Sequence, residues 1–189
     1  MATISITGDA PSDALLSEDP LALLLGMLLD QQIPMEKAFR GPYVLQERLG
    51  RLDARTVAAA EDLPALFAQT PAIHRFPGSM ATRVQELCRE LVETYDGDAA
   101  AVWTGVKSGK ELLARLEALP GFGTQKAQIF LALLGKQLGV RPRGWREAAG
   151  AYGDDKALRS VADVRSPETL LQVRAYKQQV KAAAKAAKG

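Results

Sequence analysis

The residues of this chain that are best suited to chemistry form a glycine turn. The turn, L-P-G-F-G-T-Q-K, runs from Leu119 to Lys126. Gly121 and Gly123 would let a ligand approach the backbone closely, and the unpaired amides at the start of a following helix would point towards it. Those amides and the helix dipole favour an anion, above all a phosphate. A phosphate-binding loop of the nucleotide-hydrolase type is excluded, because no Gly-Lys-Ser/Thr follows the turn.

Two helices are predicted to position this turn. Ser108 and Glu111 have the spacing of a capping box, so the first helix should begin near Gly109, and Pro120 should stop it. The second helix should end at Gly139. Apolar residues repeat at helical spacing in both segments: Leu112, Leu113, Leu116 and Leu119 in the first, and Ala127, Phe130, Leu131, Leu134 and Leu138 in the second.

The order L-x-x-L-P-G-x-G, followed by Lys-Ala and an apolar helix, resembles the hairpin of the helix-hairpin-helix DNA glycosylases of base-excision repair. An ordinary turn in a helical bundle is the alternative. A second stretch, L-L-D-Q-Q from Leu28 to Gln32, is similar to the glutamine-bearing turn that follows an early apolar helix in that superfamily. The resemblance covers about residues 19–147 and implies that Gln32 enters a DNA duplex near a flipped nucleotide. Two solvated amides at a helix end are the alternative reading of this turn.

Double-stranded DNA is the partner that the resemblance implies. It places DNA-binding residues at the turn, and the chain adds a basic run over residues 126–146 without an acidic residue. A second basic run, Arg174 to Lys188, would present its charges at spacings of three and four on one side of a helix. This run is either a DNA-contacting stripe or a solvated tail. The expected DNA-binding residues are Gly121, Gly123, Thr124, Lys126, Gln32, Arg143 and Arg146.

The reaction that the resemblance implies is hydrolysis of an N-glycosidic bond. Bifunctional relatives, which also have β-lyase activity, carry a lysine that attacks the sugar where this chain has Gln125. Lys126 is one residue farther along the helix and is therefore rotated about 100° from that position. Lys126 is therefore expected to reach a phosphate, and no β-lyase activity is expected. The family aspartate has no direct counterpart, so Glu147 is the first candidate for the catalytic carboxylate and Asp155 the second.

The composition limits cofactors and location. Cys88 and His74 are the only cysteine and histidine, so an internal disulfide, a Cys/His zinc site and a four-cysteine iron–sulfur cluster are excluded. No metal and no other cofactor is expected. Cys88 lies on an apolar helical face and is expected to be a buried structural thiol, and His74 is given no role. Without a signal peptide or membrane span, the chain is expected to be a cytoplasmic monomer, associated with the nucleoid if bacterial.

The expected fold is all-α and two-lobed, with a DNA-binding cleft. Residues 30–139 would form a helical barrel-like lobe that ends in the helix-hairpin-helix at 108–139, and residues 1–29 with 140–189 would form the second lobe. Helices are predicted to start at Asp19-Pro20 and Ser166-Pro167, to span 35–50 and 53–70, and to run from a cap at Ser79 to about Tyr95. Ile4 and Ile6 form a short β-like patch in an N-terminal arm.

The predicted function is a monofunctional DNA glycosylase. One alternative is a non-catalytic protein of the same fold that binds DNA or DNA damage. Another is a helical protein-interaction module whose glycine turn binds no DNA.

Overall fold

A computed structural model describes residues 2–189, and over that range the chain is all-α. Three short 3₁₀ helices (Ala99–Val102, Gly150–Gly153 and Val161–Asp163) lie between the α-helices. The α-helices are α1 (Ala10–Glu18), α2 (Pro20–Leu29), α3 (Met35–Leu49), α4 (Ala54–Ala59), α5 (Leu63–Ala68), α6 (Pro77–Tyr95), α7 (Gly109–Glu117), α8 (Thr124–Gln137), α9 (Trp145–Ala148) and α10 (Pro167–Ala186).

The predicted helix starts at Asp19, Ser108 and Ser166 are confirmed, because each side chain caps its helix. The Asp19 carboxylate accepts hydrogen bonds from the first amides of α2, and Pro20 occupies the first turn. Ser108 Oγ accepts from the Glu111 amide at 3.1 Å. Ser166 Oγ accepts from the amide of Thr169 at 3.3 Å. Such caps satisfy amides that have no partner within the helix.

Two predicted boundaries are wrong. Residues 53–70 form α4 and α5 rather than one helix, because Asp62 caps a new helix and Pro64 stands in its first turn, where proline is tolerated. The helix predicted to be capped by Ser79, and so to begin at Met80, begins three residues earlier, at Pro77, and Ser79 lies inside its first turn. Proline has the right φ for a first helical position, and this sets the start of α6.

Helix α2 is the centre of the first part of the core. Every residue from Leu21 to Leu29 is buried, as its sequence without a polar face predicts. It packs chiefly against α3, where Gly26 admits the ring of Phe39: a Cβ on Gly26 would lie 2.5 Å from Phe39 Cδ1. The N-terminal arm covers this part of the core, and Ile4 and Ile6 are buried in it.

Helix α8 is the centre of the second part of the core, as α2 is of the first. It packs against α7, α9 and the 3₁₀ helices that follow. Trp145 of α9 lies against Gly135, where a Cβ would approach the indole to 2.4 Å. At the other side, Phe130 meets Trp103 edge-on, with ring centroids 5.6 Å apart. Trp103 thus packs the segment before α7 against α8.

A buried ion pair joins the last turn of α8 to the 3₁₀ helix Val161–Asp163. Lys136 Nζ lies 2.5 Å from Asp163 Oδ1, and the two side chains are 2% and 3% exposed. The ammonium also donates to the Asp154 carbonyl oxygen at 2.7 Å, while Asp163 Oδ2 accepts from two backbone amides. Full pairing of this kind offsets the large desolvation cost of two buried charges.

One continuous core joins the whole chain. Its buried apolar residues extend from Ile4 to Val173 and include Cys88, a thiol whose pKa burial raises to about 12. The division into lobes at residues 30 and 139 stays a prediction. None of the helices among residues 2–189 has both the length and the apolar character needed to cross a membrane.

Candidate functional site

The turn between α7 and α8 is seated on the end of α2. Gly121 has φ +84°, and a Cβ there would lie 2.4 Å from Leu28 Cδ1. Lys126 Nζ donates a hydrogen bond to the Leu28 carbonyl oxygen at 2.9 Å. Both a left-handed backbone and a close contact therefore require glycine at 121. The turn has a fixed position because two of its residues hold the same residue of α2.

The first turn of α8 has no cap. Gly123, its N-cap residue, has φ −79° and ψ 174°, and it offers no side chain to the amides that follow. The amides of Gly123, Thr124, Gln125 and Lys126 have no acceptor among residues 2–189. Gly123 to Gln125 are exposed, and a Cβ on Gly123 would meet nothing within 4 Å. This is an open site for an anion, because orphan amides and the helix dipole point out of it together.

The turn between α2 and α3 lies beside it and has a strained residue. Gln32 is exposed and has φ +58°, a left-handed conformation that costs a residue with a Cβ about 1–2 kcal/mol. Its neighbour Gln31 is held in place: Nε2 donates to Met80 Sδ at 2.8 Å, and Oε1 accepts from the Arg83 guanidinium at 3.4 Å. The strained Gln32 is thus presented to solvent by a fixed turn.

His74, which is buried, holds the turn between α2 and α3 through two of its carbonyl oxygens. Its Nε2 lies 3.2 Å from the Leu29 carbonyl oxygen and 3.0 Å from that of Gln31, so Nε2 must carry the proton. Its Nδ1 accepts from the Phe76 amide at 3.0 Å. Burial lowers the pKa of the imidazole, and the nearby charges of Lys37 and Lys126 lower it further, while the two carbonyl bonds oppose the shift. A neutral histidine therefore joins the α2–α3 turn to the loop before α6.

The start of α6 completes the same surface. Phe76, its N-cap residue, supplies no side-chain cap and is 43% exposed. The Arg75 guanidinium lies 5.3 Å from the centre of its ring, at cation–π distance. Among the longer helices of the described chain, α3, α6 and α8 are the ones that begin without a side-chain cap. We call residues 30–34, 75–79 and 121–126, which contain the N-cap residues of all three helices, the helix-start face.

The helix-start face contains two ionisable side chains of opposite sign, Lys126 and Asp30. Burial lowers the pKa of Lys126 to about 8; Asp30 opposes this shift and Arg83 adds to it. Burial raises the pKa of Asp30, although the charges of Lys177 and Lys126 act against the rise. Lys126 was expected to extend to a phosphate, but its side chain turns inwards to α2. Its role in DNA binding stays a prediction.

Gln125 lies at the edge of a groove between α8 and α10. Its Nε2 donates to Tyr152 Oη at 3.0 Å, in the segment that returns along α8. The groove has a volume of about 360 Å³ and adjoins the uncapped first turn of α8. Two tyrosines, two glutamines and three cations are among its lining residues: Tyr152, Tyr176, Gln125, Gln128, Arg159, Lys177 and Lys181.

The other predicted site residues lie on α9 and in the segments on either side of it. Arg146 pairs with Asp155 at 2.6 Å and stacks on Trp145, with 4.5 Å between guanidinium and ring centre, so these two charges already have partners. Glu147 is exposed on α9, and its Oε2 lies back over Gly144, 3.8 Å from where a Cβ would be. Arg143 is exposed beside the start of α7, where its carbonyl oxygen accepts from the Gly109 amide at 2.8 Å.

The basic residues of the run from Arg174 to Lys188 fall into two groups, those close to other parts of the chain and those that are simply exposed. Arg174 forms an ion pair with Glu36 of α3 and so fastens α10 to the first part of the chain. Lys177 acts on Asp30, and Lys181 lines the groove. Lys185 and Lys188 are exposed.

Sequence reasoning missed Asp30, His74 and the Arg75–Phe76 pair. One signal for Asp30 was present, because a carboxylate at the carboxyl end of an apolar helix opposes the helix dipole. No signal indicated the direction of Lys126 or the carbonyl contacts of His74, which join residues more than 40 positions apart. Comparison of the chain with models of known protein families, with curated proteins and with solved structures finds no match.

Proposed function

We propose that the protein is a DNA-repair protein of the helix-hairpin-helix type that binds damaged duplex DNA and removes a base by hydrolysing its N-glycosidic bond. The observation that carries this proposal is the uncapped, exposed start of α8, with Gly121 seated on Leu28 and Gly123 open to solvent. Such a site takes a phosphate, and the sequence around it resembles the hairpin of DNA glycosylases.

The mode of binding follows from the amides. A backbone phosphate would accept hydrogen bonds from the amides at 123–126, which contribute about 1.5–3 kcal/mol each when the acceptor is charged. The starts of α3 and α6 also lack side-chain caps, and we propose that their first amides add contacts to the phosphates. Contacts of this kind position a duplex without reading its sequence, and affinity should fall steeply with salt.

The duplex would lie across the helix-start face, in a cleft between a lobe of residues 30–139 and a second lobe of residues 1–29 and 140–189. Gln32, strained and exposed, would enter the duplex. The extruded nucleotide would occupy the groove between α8 and α10, where Tyr152 and Tyr176 offer rings for stacking and Gln125 and Gln128 offer amides.

A second candidate is a protein of the same fold that binds damage without cleaving it. The observation in its favour is the state of the predicted carboxylates, because Asp155 is paired with Arg146 and Glu147 lies back over Gly144.

The test is a panel of duplexes, each with one lesion or mismatch, assayed for abasic sites after incubation and for binding at low and moderate salt. Abasic sites on one substrate support the glycosylase. Salt-sensitive binding that prefers a lesion, without abasic sites, supports the non-cleaving alternative. Absence of binding at low salt overturns both and favours a protein-interaction module.

A further inference from the structure

We infer that Asp30 is the catalytic carboxylate of the proposed glycosylase, in place of Glu147. The inference rests on the proposed function and adds the residue that acts on the sugar. Asp30 belongs to the end of α2, a different element from the one in which the resemblance places a carboxylate.

Asp30 lies close to both Leu28 and Gln32 along the chain. Asp30 follows Leu28 by two residues, so their Cα atoms are at most about 7.6 Å apart. Leu28 is the residue that contacts both Gly121 and Lys126, and Gln32 follows Asp30 by two residues. Asp30 is therefore two residues from Leu28, which contacts the start of α8, and two residues from Gln32, which is expected to enter the duplex. It is partly exposed, so a bound sugar could reach it.

The carboxylate of Asp30 does not serve the stability of the fold. Asp9, Asp19, Asp53 and Asp62 cap the amino ends of helices, where a carboxylate is favourable. Asp30 is the C-cap residue of α2, at the negative end of the dipole, and its side chain has no hydrogen-bond donor among residues 2–189. Unfavourably placed ionisable groups in a cleft are candidates for function.

Burial raises the pKa of the Asp30 carboxyl, so its ionised form is poorly solvated and would gain from a cation beside it. A charged carboxylate is also unfavourable on a surface that binds phosphates. The groups that act on Asp30 are Lys177 of α10, Lys126 of α8 and Glu36 of α3.

The proposed step uses water. The bond between C1′ and the base nitrogen breaks, its electron pair leaves with the base, and the ionised Asp30 stabilises the oxocarbenium ion. A water oxygen then bonds to C1′ and gives one proton to Asp30. That proton passes through solvent to the departing base, so the products are a free base and an abasic sugar, and Asp30 is again ionised.

Glu147 is poorly placed for this step. Trp145, which begins α9, packs against Gly135 in the later part of α8, whereas the Ala148 carbonyl oxygen accepts from Gln128 Nε2 at 3.3 Å, about 6 Å along α8 from Thr124. The Glu147 carboxylate points back over Gly144, which adjoins Gly109 at the far end of α7 from the turn. The resemblance therefore identifies a position whose backbone returns towards the start of α8 but whose carboxylate is turned back over Gly144.

The experiment compares Asp30→Asn with Glu147→Gln on a duplex that the wild-type protein cleaves. We expect Asp30→Asn to reduce excision by at least about 100-fold and to bind the duplex as tightly or more tightly, because a negative charge is lost. Glu147→Gln should excise normally. Asp30→Glu should recover part of the activity. The wild-type acid limb of the pH–rate profile should lie above the ordinary carboxyl range and disappear in Asp30→Asn.

Two failures are distinguishable. If the wild-type protein forms no abasic site on any duplex, the proposed function is wrong and the assignment falls with it. If the wild-type protein is active, an active Asp30→Asn variant overturns the assignment alone. A structural role for Asp30 would instead lower the melting temperature and the DNA affinity of Asp30→Asn together.

Discussion

The ammonium of Lys126 donates a hydrogen bond to the main-chain carbonyl oxygen of Leu28, which lies 98 residues earlier in the chain. The carbonyl belongs to the last turn of α2, where a cation is favourable. Together with the close packing of Gly121 on Leu28, this contact fixes the turn between α7 and α8 on the end of α2. It brings together the uncapped amides, the strained Gln32 and the unpaired Asp30.

Gly123→Asp should separate stability from DNA binding. The φ and ψ of Gly123 are those of an aspartate N-cap, and a Cβ has free space, so the variant should melt at the same temperature as the wild-type protein or higher. The new carboxylate would occupy the amides and repel a phosphate, so duplex affinity should fall by about tenfold or more, measured by fluorescence anisotropy.

Two controls accompany this variant. Thr94→Asp adds the same charge at the opposite end of α6 from the helix-start face and should leave affinity within about twofold. Gly121→Ala should lower the melting temperature, because φ +84° and Leu28 both oppose a Cβ. Normal DNA binding by Gly123→Asp would show that the turn only connects two helices.

Gln32→Gly should raise the free energy of unfolding and weaken the preference for lesion-bearing duplexes. Glycine relieves the left-handed strain, so the free energy of unfolding should rise by up to about 1 kcal/mol. The side chain expected to enter the duplex is lost, so the preference for a lesion-bearing over an intact duplex should shrink. Gln32→Asn, which tolerates the same backbone and keeps an amide, should retain part of this preference. An unchanged preference in Gln32→Gly would identify this glutamine as a solvated amide.

The lysines of α10 should contribute to salt dependence. In Lys177→Gln/Lys181→Gln, the slope of log affinity against log salt should become shallower by up to about 1.8, or about 0.9 for each lost phosphate contact. The control, Lys107→Gln/Lys110→Gln, removes two exposed charges at the opposite end of α7 from the turn. Equal slopes in the lysine variant and the wild-type protein would show that this stripe is a solvated tail.

Borohydride should trap no covalent complex with an abasic duplex at about pH 7. Gln125 cannot form a Schiff base. Lys126 is held by the Leu28 carbonyl and is mainly protonated below its pKa of about 8. The lowered pKa leaves more neutral amine than an ordinary lysine would have at this pH, so Lys126 is the residue that would react if an adduct did form. An adduct that forms with the wild-type protein and is lost in Lys126→Ala would make Lys126 the nucleophile of a bifunctional enzyme.

Stability should fall below the ordinary histidine pKa of 6.5 because of His74. Its pKa is lowered in the folded protein, so the unfolded chain binds more protons between the two values and the free energy of unfolding rises with pH there. Urea unfolding at about pH 5.5 and 7.5 should show a smaller difference in His74→Gln than in the wild-type protein. Asp19 and Asp30, whose pKa values are raised, act with the opposite sign at lower pH. An equal difference in both proteins would assign the acid sensitivity to other groups.

Local signals predicted most helices, because caps and prolines act within a few residues of where they stand. Asp19-Pro20, Ser108 and Ser166-Pro167 each start the helix expected of them. The same rules failed at residues 53–70, where Asp62 and Pro64 were also a start signal inside a longer apolar pattern.

The site was only partly predictable, because it is assembled by contacts between distant residues. The glycine turn and Gln32 could be identified from spacing. The inward direction of Lys126 and the exposure of Phe76 depend on how α2, α6 and α8 pack, and no pattern along the chain encodes that packing. The carboxylate was sought after the turn, while the nearest unpaired carboxylate precedes it by about 90 residues.

The burial of Cys88 makes the protein convenient for site-specific labelling. The thiol is enclosed in the core, and a pKa of about 12 leaves almost no thiolate at neutral pH. Because the chain has no other cysteine, a cysteine introduced at an exposed position such as Thr124 or Lys188 would be the one thiol that reacts readily with a maleimide. Fluorophores or spin labels could thus be attached to the native background, without first removing a cysteine from the core.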